Sequence, residues 1–131
     1  MERDLVTILV VDEDVMVRRV LETLLGREGF SVLSTRNLRT AAQTMTAATV
    51  DIVVTDLSRN DRSDTEHTAQ IRRLFPDVKV VVMSGFFGVN PPPATRYRAD
   101  ACLSKPVRPE ILRQTVHTLL AEHRIPVLGV H

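Results

Sequence analysis

Apolar residues recur along the chain in two alternating patterns. Short, nearly continuous apolar runs are typical of strands covered on both faces of a parallel sheet, and the sequence contains five: Leu5–Val11, Phe30–Ser34, Asp51–Thr55, Val78–Met83 and Ala101–Ser104. Between most of these runs, apolar residues follow the three- and four-residue spacing of one helix face. That spacing predicts four helices, marked by Val17 to Leu25 (ending at Gly26 or Gly29), Leu38 to Met45, Ile71 to Phe75 (ending at Pro76) and Ile111 to Leu120 (with Pro109 in the first turn).

The alternation of strands and helices predicts an α/β fold. Right-handed crossovers and this chain length favour a doubly wound, five-stranded parallel sheet in the order 2-1-3-4-5. The fourth unit is irregular, because Pro91–Pro93 lack backbone N–H groups and cannot lie inside a helix. We therefore expect the fourth helix to be short, beginning near Pro93, or to be replaced by a loop. One domain over residues 1–124 and a short C-terminal tail over 125–131 are predicted.

Composition narrows the functional classes. The 131 residues are 44% apolar with a net charge of +1, which gives no general attraction to nucleic acid or to an anionic membrane. The apolar runs are too short to span a bilayer, and the N-terminus does not resemble a signal peptide. A single cysteine, Cys102, excludes an internal disulfide and a cysteine-rich zinc site. The expected location is the cytoplasm.

Polar residues that could bind a ligand or take part in a reaction directly follow four of the predicted strands. Asp12, Glu13 and Asp14 come after the first strand, Asp56 after the third, Ser84 after the fourth, and Lys105 after the fifth, where Pro106 follows it. In open α/β sheets, ligands bind beyond the carboxyl ends of the strands. In the predicted order the first, third, fourth and fifth strands are neighbours, so these side chains should meet at one edge of the sheet.

This set of side chains favours a magnesium site at which a phosphoryl group is transferred. Asp12, Glu13 and Asp56 offer the hard oxygen ligands that suit Mg²⁺, with a backbone carbonyl from the following loop. Lys105 would neutralise phosphoryl oxygens and Ser84 would donate a hydrogen bond to them. Asp56 is the best candidate for the nucleophile, which would form an aspartyl phosphate. Asp14 is predicted to cap the first helix instead.

Four segments together resemble the receiver domains of response regulators: "ILVVDED", "DIVVTDL", "VVVMSG" and "ACLSKPV". The resemblance covers residues 5–123 and implies a flavodoxin-like receiver fold. It implies that Asp12 and Glu13 form the acidic pair and that Asp56 is the phosphoacceptor. It also implies that Ser84 supplies the hydroxyl of the site and Lys105 its lysine. It also implies a main-chain carbonyl ligand from Ser58 and a cis Lys105–Pro106 bond. The implied partners are a sensor histidine kinase or histidine phosphotransfer protein, and a downstream protein target.

The chain departs from the family pattern at three places. Arg59 and Asn60 replace the usual Met-Pro after the phosphoacceptor, and Asp64 replaces a glycine. Cys102 stands where the family usually has the aromatic residue that swings inward on activation. Pro91–Pro93 disturb the fourth helix, which belongs to the face that most receivers use for output. The hypothesis is that phosphorylation chemistry is kept and the output is altered.

Other functions compete with this hypothesis. The same departures are compatible with a pseudo-receiver that binds partners without phosphorylation. "DEDVM" loosely resembles the start of aspartate-nucleophile phosphatases, although Met16 occupies the Thr/Val position and Asp56 would have no role. A flavin or nucleotide site is disfavoured, because the loop after the first strand is acidic where a phosphate cradle needs glycines. We expect a signalling domain that phosphorylates itself and does not turn over a metabolite, and hence is not an enzyme.

Overall fold

Strands and helices alternate as the sequence predicts. The structure, a computed structural model, describes residues 5–57 and 62–128, with side chains except at 62–64 and 123–128. The elements of the described part are β1 (Thr7–Val11), α1 (Val15–Arg27), β2 (Ser31–Thr35), α2 (Leu38–Ala47), β3 (Ile52–Asp56), α3 (Arg62–Leu74), β4 (Lys79–Ser84), a 3-10 turn (Ala94–Tyr97), β5 (Ala101–Ser104) and α4 (Pro109–Leu128). Across these ranges, no helix combines the length and apolar character needed to cross a bilayer.

The five strands form one parallel sheet in the order β2-β1-β3-β4-β5, which confirms the predicted topology. The register aligns the carboxyl ends of neighbouring strands: Val11 pairs with Thr55, Asp56 with Met83, and Ser84 with Ser104. Because every strand runs in the same direction, the residues at these ends share one edge of the sheet. This alignment places the candidate side chains together.

The core lies on both faces of the sheet. On one face, Ile8 and Val10 of β1 pack in a cluster with residues of α1 and α4, including Leu21 and Leu112. On the other face, Leu9 and Val11 pack in a cluster with residues of α2 and α3. Since successive strand residues point to opposite faces and both faces are covered, Ile8–Val11 are all buried. This double coverage explains why the strand runs are continuously apolar.

The fourth unit has a single 3-10 turn where the other units have a helix, which confirms the prediction made from the prolines. Pro93 is extended, with φ −56° and ψ 139°, and the turn Ala94–Tyr97 follows it directly. Phe86 is exposed in the preceding loop, whereas Phe87 packs against Tyr97 with ring centroids 5.6 Å apart. The sequence did not distinguish these two phenylalanines; in the structure Phe86 is a surface residue and Phe87 is a partly buried residue packed against the core.

Several element boundaries differ from prediction. β1 begins at Thr7 rather than Leu5, and β3 includes Asp56, so Asp56 is the last strand residue and not the first loop residue. α1 ends at Arg27, two residues before Gly29, whose φ of +91° favours glycine. α4 continues to Leu128 and so extends into the tail that was expected to begin at residue 125. The domain boundary itself stays a prediction.

Candidate functional site

The Lys105 ammonium lies between two carboxylates at the carboxyl edge of the sheet. Lys105 Nζ donates hydrogen bonds to Asp12 Oδ2 at 2.9 Å and to Asp56 Oδ1 at 3.1 Å. Asp12 follows β1, Asp56 ends β3, and Lys105 follows β5, with β4 lying between β3 and β5. The sheet order therefore brings together residues up to 93 positions apart in the sequence. The convergence predicted for these three side chains is confirmed.

The two carboxylates differ in their access to solvent. The Asp12 side chain is 2% exposed, whereas those of Asp56 and Lys105 are 19% and 22% exposed. A buried carboxylate is costly unless it is paired and hydrogen-bonded. Asp12 meets this need through Lys105 and through the Asp14 N–H, which donates to Asp12 Oδ1 at 2.8 Å. Asp12 is thus a fixed part of the site, and Asp56 is its accessible carboxylate.

The charge state of Lys105 follows from its position. Burial lowers the pKa of the ammonium, but its hydrogen bonds to Asp12 and Asp56 and their negative charges act in the opposite direction. The balance raises the pKa of Lys105 above its ordinary value. The lysine is therefore a permanent cation between the two carboxylates at neutral pH.

The acidic loop after β1 is held by backbone hydrogen bonds. The Asp12 N–H donates to the Thr35 carbonyl at 3.1 Å, and the Met16 N–H donates to Asp14 Oδ1 at 2.8 Å. The second bond is an N-cap of α1, which confirms the predicted role of Asp14. Glu13 lies between these anchored residues with an exposed side chain.

Ser84 lies at the same edge, but its hydroxyl bonds to its own loop. Ser84 is fully buried, and its Oγ accepts a hydrogen bond from the Phe86 N–H at 3.0 Å. The Ser84 carbonyl accepts from the Lys105 N–H at 3.0 Å, which places the serine beside the lysine. The predicted proximity is confirmed, while direct action of the hydroxyl at Asp56 stays a prediction.

The predicted metal ligands are only partly assembled. Within residues 5–57 and 62–128, no group of three or more His, Cys, Asp or Glu side chains lies close enough to hold a metal ion. Asp12 and Asp56 are together, whereas Glu13 does not join them as a third clustered ligand. Ser58, Arg59 and Asn60 lie outside the described residues, and the side chain of Asp64 is not described.

The donor set nevertheless fits a divalent cation. The Asp12 and Asp56 carboxylates already hold one cationic group, the Lys105 ammonium, by hydrogen bonds. These two carboxylates carry two negative charges against a single ammonium, so negative charge remains to attract a metal ion. Carboxylate oxygens are ligands that Mg²⁺ prefers.

Two further features, one in β5 and one directly after it, bear on the family resemblance. Cys102 is partly buried in β5 and packs against the core on the α2 and α3 face. Burial raises the pKa of the Cys102 thiol to about 11, so the thiol is neutral at physiological pH. The Lys105–Pro106 peptide bond is cis, as the resemblance implied.

Arg18 makes a contact that sequence reasoning missed. Its Nη1 donates to the Asp12 carbonyl at 2.7 Å and to the Glu13 carbonyl at 3.3 Å. One signal was available in the sequence: Arg18 falls near the N-terminus of α1, where the helix dipole disfavours a cation. A cation at that position needs acceptors nearby, and the acidic loop supplies them.

Comparison with known proteins identifies the family. Residues 8–117 match the sequence profile described as "Response regulator receiver domain". The chain belongs to this family. It is a receiver domain of the type found in two-component signalling, in which phosphorylation and magnesium are typical.

The receiver domain is similar to segments of much longer proteins. It is 38% identical over 78 residues to the DNA-binding transcriptional regulator NtrC of Rhizobium meliloti, covering 60% of this chain and 16% of NtrC. It is 30% identical over 122 residues to the sensor histidine kinase RcsC of Escherichia coli, covering 92% of this chain and 13% of RcsC. The chain spans less than a fifth of the length of either relative.

Solved structures of receiver domains share the fold. A CheY-like response regulator receiver domain protein from Methanospirillum hungatei superposes with a TM-score of 0.82 at 23% identity, covering 94% of this chain and 99% of that one. The response regulator TrrA from Thermotoga maritima, solved in complex with Mg²⁺-BeF, gives a TM-score of 0.74 at 23% identity and covers 88% and 99%. These matches confirm the predicted receiver fold.

Proposed function

We propose that this receiver domain accepts a phosphoryl group on Asp56 from a histidine kinase or a histidine phosphotransfer protein, and then signals by binding a downstream protein. The observation that supports this proposal best is the Lys105 ammonium held between Asp12 and Asp56. Such a cation neutralises negative charge at the position where a phosphoryl group on Asp56 would add more.

The different exposure of the two carboxylates supports Asp56 as the acceptor. An incoming phosphorus atom must approach a carboxylate oxygen, and the Asp56 side chain is 19% exposed against 2% for Asp12. Asp12 is also held by Lys105 and by the Asp14 N–H. This arrangement disfavours the phosphatase alternative, in which a carboxylate of the first acidic segment would be the nucleophile.

The transfer step uses the carboxylate as the nucleophile. An Asp56 oxygen forms an O–P bond as the P–N bond to the donor imidazole breaks. The electron pair of that bond stays on the imidazole nitrogen, which takes up a proton. Lys105 would then shift its ammonium towards the phosphoryl oxygens while remaining beside Asp12.

Ser84 would act after transfer. Its Oγ accepts from the Phe86 N–H, and a serine hydroxyl can accept one hydrogen bond while it donates another, so the Ser84 O–H would donate to a phosphoryl oxygen with that bond kept. The bond to the Phe86 N–H would then link the phosphoryl group to the loop after β4.

Magnesium is the proposed cofactor. Asp12, Asp56 and Glu13 would hold it, with the Ser58 carbonyl as a further ligand. When bound, Mg²⁺ would neutralise developing charge on the phosphoryl oxygens. TrrA, which was solved with Mg²⁺-BeF, is a response regulator, and membership of this family makes the same cofactor the natural proposal for this protein.

The remaining parts of the proposal concern partners and location. The protein would not turn over a metabolite, because its reactions would be the phosphorylation of its own Asp56 and the hydrolysis of that phosphate. It would act in the cytoplasm, the location expected from the sequence. Its partners would be proteins, with no direct contact to nucleic acid or membrane.

Intact-mass measurement after incubation with acetyl phosphate tests the proposal. Wild type should gain the mass of one phosphoryl group in the presence of Mg²⁺ and lose it in mild base, as an acyl phosphate does. Asp56→Asn, which keeps the shape of the side chain, should gain nothing. Absence of labelling in wild type with Mg²⁺ would contradict the proposal and would favour a pseudo-receiver that works without phosphorylation.

A further inference from the structure

We infer that Arg18 is a positioning residue that fixes the backbone of the acidic loop after β1, from which Asp12 and Glu13 would bind the divalent cation. This inference rests on the proposed magnesium site and adds a residue to it that is not itself a ligand. Arg18 lies in α1, behind the loop. Among the described residues, the hydrogen bonds of its guanidinium go to backbone carbonyls and to no side chain.

The geometry links Arg18 directly to both members of the acidic pair. One guanidinium nitrogen, Nη1, bonds to two consecutive carbonyls, that of Asp12 at 2.7 Å and that of Glu13 at 3.3 Å. These carbonyls belong to the two peptide planes that flank Glu13, so fixing them fixes the direction of the Glu13 Cα–Cβ bond. The exposed Glu13 side chain then depends on the backbone for its direction.

Glu13 has few other restraints. Its side chain makes no hydrogen bond or ion pair with the part of the chain that the structure describes, and it is exposed. Asp12, in contrast, is fixed by Lys105 and by the Asp14 N–H. Loss of the Arg18 contact would therefore release Glu13 more than Asp12. The entropy lost when a freed glutamate is ordered would then reduce the affinity for the cation.

The charge of Arg18 acts in the opposite direction to its positioning role. A guanidinium bonded to the acidic loop repels a divalent cation, and its removal would by charge alone strengthen binding. Positioning predicts weaker binding after removal, because residues that orient the ligands of a metal site typically change its affinity about 10- to 100-fold. The sign of the change in affinity therefore separates the two effects.

The experiment measures Mg²⁺ affinity in the full chain by isothermal titration calorimetry. Arg18→Met removes the charge and the donors but keeps an unbranched apolar stem that packs in its place. Arg19→Met is the matched control, since Arg19 is the next residue of α1 and is exposed. Arg18→Lys keeps a cationic donor and should restore part of the affinity. Melting temperatures without metal show whether each variant is folded.

We expect Arg18→Met to bind Mg²⁺ about 10-fold more weakly than wild type, while Arg19→Met binds as wild type does. At saturating Mg²⁺, the labelling of Arg18→Met by acetyl phosphate should reach the wild-type rate, because Arg18 does not touch the reacting atoms. Unchanged or tighter binding by Arg18→Met would overturn the inference while leaving the proposed function intact. Failure of wild type itself to bind Mg²⁺ would overturn both. If Arg18→Met does not fold, Arg18→Lys is compared with wild type instead: weaker Mg²⁺ binding at an unchanged melting temperature supports the inference, and equal affinity overturns it.

Discussion

Replacement of Lys105 by methionine would leave two carboxylates facing each other without their cation. Lys105→Met keeps an unbranched apolar stem of similar length and removes the ammonium. Asp12 would then be a buried carboxylate with one remaining described hydrogen bond, from the Asp14 N–H. The repulsion between Asp12 and Asp56 would no longer be compensated.

The size of the effect follows from the burial of the three side chains. Exposed ion pairs contribute about 0–1 kcal/mol, and removal of one partner of a fully buried pair costs about 3–5 kcal/mol. Here one partner is 2% exposed and the other two are about one-fifth exposed. We expect an intermediate loss of about 2 kcal/mol, which lowers the melting temperature of a domain of this size by roughly 6–10 °C.

The assay is urea or thermal unfolding at pH 7 in EDTA, followed by circular dichroism. Lys79→Met is a matched control, because Lys79 is the only other lysine and lies at the opposite end of β4 from Ser84. Lys79 is partly buried, but its ammonium forms no ion pair with a described residue, so the substitution should change the free energy of unfolding by less than about 1 kcal/mol.

The pH dependence gives a second measurement on the same pair of proteins. The pKa of Lys105 is raised in the folded state. Its contribution to the free energy of unfolding is therefore complete below the ordinary lysine pKa, about 10.4, and is lost as the pH rises through the folded-state pKa. The stability difference between wild type and Lys105→Met should be constant from pH 7 to 9 and decline only above about pH 10.4. An equal melting temperature for the two proteins at pH 7 would refute the electrostatic account of the site.

Three other features of the structure give predictions. Burial raises the pKa of Cys102 to about 11, so the thiol should react with a disulfide reagent at pH 8 about 100-fold more slowly than in the urea-unfolded chain; equal rates would contradict its burial. Leu112→Ala should lower the free energy of unfolding by about 3 kcal/mol, whereas the exposed neighbour Ile111 should tolerate alanine at under about 1 kcal/mol, both measured by urea unfolding. Mg²⁺ with beryllofluoride should alter the fluorescence of Tyr97, the only tyrosine in a chain without tryptophan, because the loop anchored by Ser84 packs on its ring. Ser84→Ala should reduce that change, and an identical response would contradict the coupling.

The architecture and the positions of the main candidate site residues could be predicted from the sequence for a physical reason. A parallel sheet with both faces covered produces continuous apolar runs, and the residue that ends each run must lie at the carboxyl edge. Asp12, Asp56, Ser84 and Lys105 were therefore placed correctly before any distance was known.

Other features of the site depend on three-dimensional contacts, and the periodic spacing of apolar residues does not predict such contacts. Asp12 and Glu13 are adjacent, yet one is buried under Lys105 and the other is exposed. The hydrogen bond of the Ser84 hydroxyl to the Phe86 N–H depends on how one loop turns. The contact of Arg18 with the acidic loop requires the helix start and the loop to be placed relative to each other. Patterns of residue type do not contain this information.

Localisation of the phosphoryl group tests the central claim most directly. An aspartyl phosphate is reduced by borohydride to homoserine, so treatment after labelling with acetyl phosphate and Mg²⁺ marks the acceptor for peptide sequencing by mass spectrometry. We expect homoserine at position 56 and unmodified aspartate at position 12. Homoserine at position 12, with Asp56 unmodified, would show that Asp56 is not the phosphoacceptor.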